Sequence, residues 1–147
     1  MLKPLRRLLL LSVVSLASAQ ATAQTTLVEN GKPAARITLA VDNENNRRAA
    51  LLLQRFVRET SGAQLPIVAN VKVGKGTVVI GEPTTEARHD GFLIDSHDGV
   101  LRIKSAGGKG AIYGVCTLLE QYVGMNYLAA DCYTLTPSAN VCIPALY

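Results

Sequence analysis

The sequence contains no tryptophan, and its only aromatic side chains are five tyrosines and two phenylalanines. Domains that bind sugars by stacking usually present exposed aromatic rings, which combine a large apolar face with a polar edge. The scarcity of such rings argues against an extended stacking platform. Any stacking contact in this chain would have to be made mainly by tyrosine.

The chain has no uncharged apolar run long enough to span a bilayer comfortably, which takes about 20 residues. The longest run, residues 8–19, follows three basic residues near the start of the chain, namely Lys3, Arg6 and Arg7. Small residues then recur at the positions that signal peptidase reads. We predict a signal peptide over residues 1–23, cleaved after Ala23 or, as second choice, after Ala19. The protein is then secreted or periplasmic and has no membrane partner; an uncleaved anchor is the alternative.

Beyond the predicted signal peptide, the chain lacks a strong excess of either charge. Three of the 15 basic residues and none of the 11 acidic residues lie within 1–23, so 12 basic residues remain and the net charge is +1. Nucleic-acid-binding domains generally carry a basic face, so we expect no nucleic-acid partner. Four arginines do recur at helical spacing, which is typical of the solvated face of an amphipathic helix: Arg47, Arg48, Arg55 and Arg58.

Cysteine is scarce, with three residues in all. In an oxidising compartment an odd count leaves one thiol over from a pair, or none is paired. We predict a disulfide between Cys132 and Cys142 in the loop-rich end of the chain, with Cys116 buried in a helix. Three free thiols are the alternative.

No recognised catalytic, cofactor or metal motif stands out. His89 and His97 each precede an aspartate, which suggests an oriented base, but Asp-Gly pairs more often form turns. Residues 107–110 are glycine-rich and precede a helix, as in anion-binding loops, but they lack the Walker spacing; tight packing of the helix is the plainer interpretation. No spacing selects a pair of carboxylates for glycoside hydrolysis. We predict no catalytic residue, no cofactor and no metal; a small hydrolase using either histidine is the least favoured alternative.

The order of elements predicts a two-layer α+β fold with a mixed sheet of four to five strands and two helices on one face. Alternation and β-branched runs predict strands, helical spacing predicts amphipathic helices, and glycines end both helices. The strands are 25–30, 36–41, 77–81 and a hairpin over 92–104, with a short extended piece at 65–68 and a final one at 125–128; the helices are 47–60 and 111–123. We place the domain at 24–131 and a C-terminal tail at 132–147.

Three stretches, in this order and spacing, resemble the N-terminal domain of bacterial α-glucuronidases and related polysaccharide-degrading enzymes. They are a helix followed by Ser-Gly-Ala-Gln-Leu-Pro-Ile at 46–67, the strands at 77–104 with Asp90-Gly91-Phe92, and the helix at 107–128 with Ile-Tyr-Gly-Val and Leu-Leu-Glu-Gln-Tyr-Val-Gly. The second domain of bacterial β-hexosaminidases is similar. The resemblance covers residues 27–131 and departs from the family at Met125-Asn126-Tyr127.

The resemblance implies a non-catalytic domain that precedes a catalytic TIM barrel. The catalytic carboxylates of such enzymes belong to the barrel, so none is expected here. A barrel takes about 250 residues, which do not follow Tyr147 in this sequence. The expected partners are therefore a TIM-barrel domain or a glycan. The alternative is a free-standing secreted glycan-binding module, for which Tyr113, Tyr127 and Tyr133 are the candidate contacts and Tyr122 is expected in the core.

Overall fold

The computed structural model describes residues 24–147, so the predicted signal peptide lies outside the described residues. Within that range no helix is both long enough and apolar enough to cross a membrane. The elements are, in chain order, β1 Thr25–Glu29, β2 Lys32–Pro33, β3 Arg36–Leu39, α1 Glu44–Ser61, β4 Thr77–Pro83, β5 Phe92–His97, β6 Val100–Ser105, α2 Gly110–Leu118, β7 Met125–Ala129, β8 Cys132–Leu135 and β9 Val141–Ile143.

A mixed four-stranded sheet forms the centre of the molecule, in the order β3-β4-β6-β5. Strand β4 pairs in parallel with both β3 and β6, and β5 pairs antiparallel with β6 through the turn at Asp98-Gly99. Residues 77–81 are all buried, as expected for a β-branched run covered on both faces. Alternate residues of neighbouring strands build the face toward the helices, including Ile37, Val78 and Leu101.

Helix α1 begins and ends at the capping residues that its sequence provides. The side chain of Asn43 accepts a hydrogen bond from the N–H of Asn46 at 2.9 Å, and Gly62 adopts the left-handed conformation at the C-terminus, with φ of 79°. This N-cap starts the helix three residues before the predicted 47. One face is apolar and buried, with Leu53 and Val57 fully inaccessible.

Helix α2 packs closely on the sheet because Gly114 has no side chain. A Cβ at this position would lie 2.6 Å from Cγ2 of Ile103 and 3.2 Å from the ring of Phe92. The helix continues as one turn of π-helix, Leu119–Val123, and Gly124 ends it with φ of 88°. The predicted single helix over 111–123 is thus an α-helix followed by a π-turn.

Both helices contact the same face of the main sheet and each other, which confirms the predicted α+β class. The core between them is aliphatic and extends into the segments around the sheet. It includes Leu27 and Ile143, which lie outside the main sheet and are both fully buried. The domain therefore needs its N-terminal and C-terminal strands to close the core.

The C-terminal segment differs from the irregular tail predicted for 132–147. Strand β8 pairs with β7 as a hairpin, and β9 pairs antiparallel with β1 in a small sheet of order β2-β1-β9. Leu146 exchanges two backbone hydrogen bonds of 2.9 Å with Ser96. Strand β9 has three residues, of which Val141 and Ile143 are buried, so it is too short to show a periodic pattern.

All three cysteines are free thiols in this structure, so the predicted Cys132–Cys142 bridge is not formed in it. Cys132 lies on the exposed β7–β8 hairpin, whereas Cys142 lies on β9 of a different sheet, with its sulfur 3.5 Å from Oγ1 of Thr26. Cys116 is half-buried in α2 rather than fully buried, and burial together with Glu120 raises the pKa of its thiol.

Candidate functional site

The β7–β8 hairpin carries the most prominent exposed aromatic and aliphatic side chains near the predicted glycan-contact residues. Tyr127 is 58% exposed and Leu128 is 64% exposed. Leu128 is the extra residue of a β-bulge, because Tyr127 pairs with Tyr133 while Ala129 already pairs with Cys132. The bulge leaves the Leu128 side chain without a cross-strand partner and turns it toward solvent.

Tyr133 ties this hairpin to α1. Its hydroxyl donates to Oε2 of Glu59 at 2.9 Å and accepts from Nη2 of Arg55 at 3.2 Å. Nε of Arg55 also donates to Oε1 of Glu59 at 2.8 Å, and the Tyr133 ring meets the ring of Phe56 edge-on with centroids 5.0 Å apart. The hydrogen bond from Arg55 lowers the pKa of Glu59; burial opposes that effect, and the Tyr133 hydroxyl adds to it.

We use the name hairpin surface for the exposed residues of this hairpin together with the side chains that tie it to α1: Arg55, Glu59, Tyr127, Leu128 and Tyr133. Cross-strand partners share one face of a hairpin, so Tyr127 lies on the same side as Tyr133 and its ion-pair network. The surface combines an exposed ring, an exposed aliphatic side chain and a planar charged pair. It is suited to contact with another surface or ligand and contains no nucleophile paired with a base.

The other tyrosines considered for glycan contact differ in how exposed their rings are. Tyr113, on α2, is 44% exposed and is available for contact. Tyr122 is half-buried and packs against the core, as its place on the apolar stripe predicts. Tyr133 is half-buried with its hydroxyl and ring edge engaged, which leaves Tyr127 and Tyr113 as the candidates with accessible rings.

His97 has an aspartate partner, but it is Asp95 rather than the neighbouring Asp98. Nδ1 of His97 lies 2.6 Å from Oδ1 of Asp95, and Nζ of Lys104 lies 3.3 Å from the other carboxylate oxygen. These residues alternate along β5 and share the face of the sheet opposite the helices. Burial raises the pKa of Asp95, but the hydrogen bonds from His97 and Lys104 outweigh it, so the pKa lies below its ordinary value. Tyr147 stacks on the His97 ring, with centroids 6.2 Å apart.

His89 and the glycine-rich loop have local structural roles. His89 is exposed in a turn with φ of 55°. Oδ1 of Asp90 accepts a hydrogen bond of 2.8 Å from the N–H of Lys109 at the start of α2. A Cβ on Gly108 would lie 1.9 Å from that same oxygen, and one on Gly110 would lie 2.5 Å from the Gly91 carbonyl. The loop lets the helix start pack tightly, and a carboxylate of the chain itself already meets its N-terminus.

The predicted arginine cluster is exposed and largely paired with acids of the same chain. Salt bridges join Arg47 to Asp42 and Arg55 to Glu59, and Arg48 pairs with Glu44 one turn earlier. This arrangement matches the predicted solvated helix face. In residues 24–147, no three histidine, cysteine or acidic side chains come together in a way that could hold a metal ion.

The sequence made Tyr127 and Tyr133 candidate glycan contacts, but the side chains that hydrogen-bond to Tyr133 were not predicted. The Arg55–Glu59 pair was visible in principle as an i, i+4 spacing on α1. Its contact with Tyr133, 74 positions from Glu59, depends on the hairpin folding back onto the helix. Asp95 and His97 are two residues apart, which places both on one face of a strand. The sequence interpretation considered only the aspartates that directly follow each histidine and therefore missed this pair.

The fold and these surfaces define a small α+β domain with an exposed contact surface. No family model matches the chain, and no curated protein matches it. Among solved structures, it is similar to an N-acetyl-β-hexosaminidase of Streptomyces plicatus in complex with thio-NAglucal, with a TM-score of 0.50 and 17% sequence identity. The match covers 84% of this chain and 23% of the hexosaminidase chain. The chain thus shares a fold with part of a much longer glycoside hydrolase.

Proposed function

We propose that this chain is a non-catalytic accessory domain of a secreted polysaccharide-degrading glycoside hydrolase of the α-glucuronidase type. It would pack against a catalytic barrel and shape one rim of the substrate cleft. The observation that carries the proposal is the hairpin surface, where Tyr127 and Leu128 expose more than half of their side-chain area on one projecting element. Such apolar exposure is costly in water unless another surface covers it.

The placement of the acidic side chains supports a non-catalytic role. Glycoside hydrolysis needs two carboxylates facing one bond, about 5–10 Å apart. Here several carboxylates are engaged by basic side chains or a backbone N–H of the same domain: Asp42, Glu44, Glu59, Glu82, Asp90 and Asp95. For Asp42, Glu59 and Asp95 these contacts hold the pKa below its ordinary value, which favours the ionised form over the protonated form that a general acid needs.

The reading frame downstream of the Tyr147 codon in the native genome tests the proposal directly. A continuous or directly adjacent frame that encodes a (β/α) barrel is the expected result. A stop codon with no barrel gene nearby would contradict it. Assays of the purified chain on aryl glucuronides and aryl N-acetylhexosaminides are expected to show no turnover. Turnover that disappears in a His89→Ala, His97→Ala double variant would instead identify a small hydrolase.

A free-standing glycan-binding module is the second candidate, and the exposed Tyr127 ring beside the Arg55–Glu59 pair favours it. An aromatic ring can stack on a sugar while planar charged groups bind its hydroxyls. Calorimetric titration of xylan, chitin and glucuronoxylan fragments would detect this binding. Tyr127→Ala should abolish it, whereas Tyr113→Ala, on a different element, should leave it unchanged. No heat at millimolar sugar would exclude the module.

A further inference from the structure

A second surface, distinct from the hairpin surface, lies at the β3 edge of the main sheet. The outward N–H of Ile37 donates to the carbonyl of Pro66 at 2.8 Å, and the N–H of Val68 donates to the carbonyl of Ile37 at 2.8 Å. Ile37 and Ile67 thereby form a parallel β-bridge. Residues 66–68 therefore occupy the first half of a fifth strand position beside β3.

The second half of that position is open. Asn70 adopts a left-handed conformation, with φ of 53°, and the chain turns away from the sheet. Alternate residues of β3 face this edge, so Leu39 is the next to present its N–H and C=O outward. Neither group has a hydrogen-bond partner among residues 24–147. A sheet edge with unused backbone donors and acceptors is a template for another strand.

An apolar groove accompanies these backbone groups. It has a volume of about 410 Å³ and is lined by Leu39, Ile67, Val68 and Ala69, with Asp42 and Arg47 at its rim. Ile67 and Val68 are each 39% exposed, and Val41, two residues after Leu39 along the chain, is 42% exposed. The groove thus offers aliphatic contacts next to the open backbone groups, as a site for an extended chain requires.

We propose that this groove binds an uncharged, β-branched extended segment of a partner polypeptide, which adds a strand in line with residues 66–68. The N–H and the C=O of Leu39 lie in register with the bridge at Ile37. Their spacing along the edge therefore matches the hydrogen-bonding repeat of an extended peptide backbone. The rim charges satisfy each other, because the Arg47 guanidinium binds both Asp42 oxygens at 2.6 and 2.8 Å. A charged segment would find no free counter-charge there, so charge complementarity selects a neutral one.

The experiment uses the purified protein, labelled with ¹⁵N, and a capped hexapeptide of the sequence Ser-Thr-Val-Val-Ile-Thr. Titration is expected to shift the amide resonances of Leu39, Val41 and Val68 in a saturable way and to slow hydrogen exchange at the Leu39 N–H. A peptide with proline in place of both central valines lacks two backbone donors and should bind at least about tenfold more weakly. Shifts of equal size with the proline peptide would overturn the proposal.

Val68→Asp, which places a charge in the groove wall, should weaken binding by about tenfold or more. Val73→Asp is the matched control, because Val73 is 42% exposed on the same loop but does not line the groove. Equal effects of the two variants, or no saturable shift at millimolar peptide, would refute the site. Concentration-dependent self-association through these residues, without peptide binding, would show that the groove binds a second copy of this chain. That result would also refute the proposal of a partner polypeptide. None of these outcomes depends on the hairpin surface.

Discussion

At the scale of single residues, Gly81 is a position where both the backbone and the space exclude a side chain. It has φ of 78°, and a Cβ there would lie 2.0 Å from the amide nitrogen of Asn46, which donates to the Val41 carbonyl. Gly81→Ala should therefore cost about 3 kcal/mol of unfolding free energy, from left-handed strain and the displaced amide. Urea denaturation would measure it.

Gly62→Ala is the control for that prediction. Gly62 has nearly the same φ, 79°, but a Cβ there would meet no atom within 4 Å. Only the backbone strain remains, so the expected loss is about 1 kcal/mol. Equal losses in the two variants would show that the Asn46 contact at Gly81 contributes nothing.

Asp95 should make the stability of the domain depend on pH. Its pKa is lower in the folded state, so the stabilising effect of the carboxylate is fully present above its unfolded-state pKa, about 3.9, and is lost as pH falls through the folded value. Asp95→Asn should thus reduce stability at pH 7 and approach the wild type at an acidic pH below the folded-state pKa.

Urea denaturation at both pH values would test this, with Asp98→Asn as the control, since Asp98 is exposed in the turn and has no ion pair within the described residues. A deficit of Asp95→Asn that persists undiminished at low pH would contradict the assigned role of the carboxylate.

Contacts between individual side chains were harder to predict from the sequence than the helices and strands. The apolar stripe of α1, its capping by Asn43 and the left-handed Gly62 follow from local patterns, and the structure has all three. The partners of Tyr133 do not, because they lie 74 and 78 positions away and depend on how a hairpin docks on a helix. Local propensity carries no information on such distant pairs.

At the scale of elements, strand β9 should be an integral part of the fold. Ile143 is fully buried and pairs across from Thr25 of β1. Ile143→Ala should cost about 2–4 kcal/mol, from lost burial and the cavity left behind. Cys142→Ser, on the exposed side of the same strand, should cost less than about 0.5 kcal/mol.

The same pair of variants also distinguishes the alternative state of the thiols. If Cys142 were bridged to Cys132, Cys142→Ser would lower the stability by about 2–4 kcal/mol. Mass spectrometry of the unfolded protein after alkylation without reductant should show three labels if the thiols are free, as in the structure. A large effect of Cys142→Ser with one label would restore the predicted disulfide.

Long periodic elements were predictable and short ones were not. Helix α1, with 18 residues, and the buried strand β4 carry enough repeats for the pattern to stand out. Strands β8 and β9, with four and three residues, do not, and the pairing of β9 with β1 joins opposite ends of the chain. The predicted tail therefore supplies strands to two small sheets, which only tertiary packing reveals.

At the scale of the whole molecule, the exposed hairpin is the surface on which the proposed docking role can be tested. Tyr127 and Leu128 lie on a two-stranded hairpin outside the main sheet, and the fold is shared with a part, 23%, of a hexosaminidase chain. Met125 and Tyr133 hold the hairpin on the core and on α1, whereas the exposed Tyr127 and Leu128 side chains gain little from that core. Contact with a larger partner would bury both side chains and remove their apolar area from water.

A double variant, Tyr127→Ser with Leu128→Ser, would test this role. Because both side chains are more than half exposed, the melting temperature of this chain alone should change by less than about 3 °C. In the protein that carries both this domain and the barrel, docking should weaken by about 2–4 kcal/mol and the two domains should melt separately in calorimetry. Val73→Ser, exposed on another loop, should leave both transitions unchanged. Joint melting that the double variant does not disturb would show that the barrel contacts a different face, and the hairpin surface would then remain a candidate for glycan binding alone.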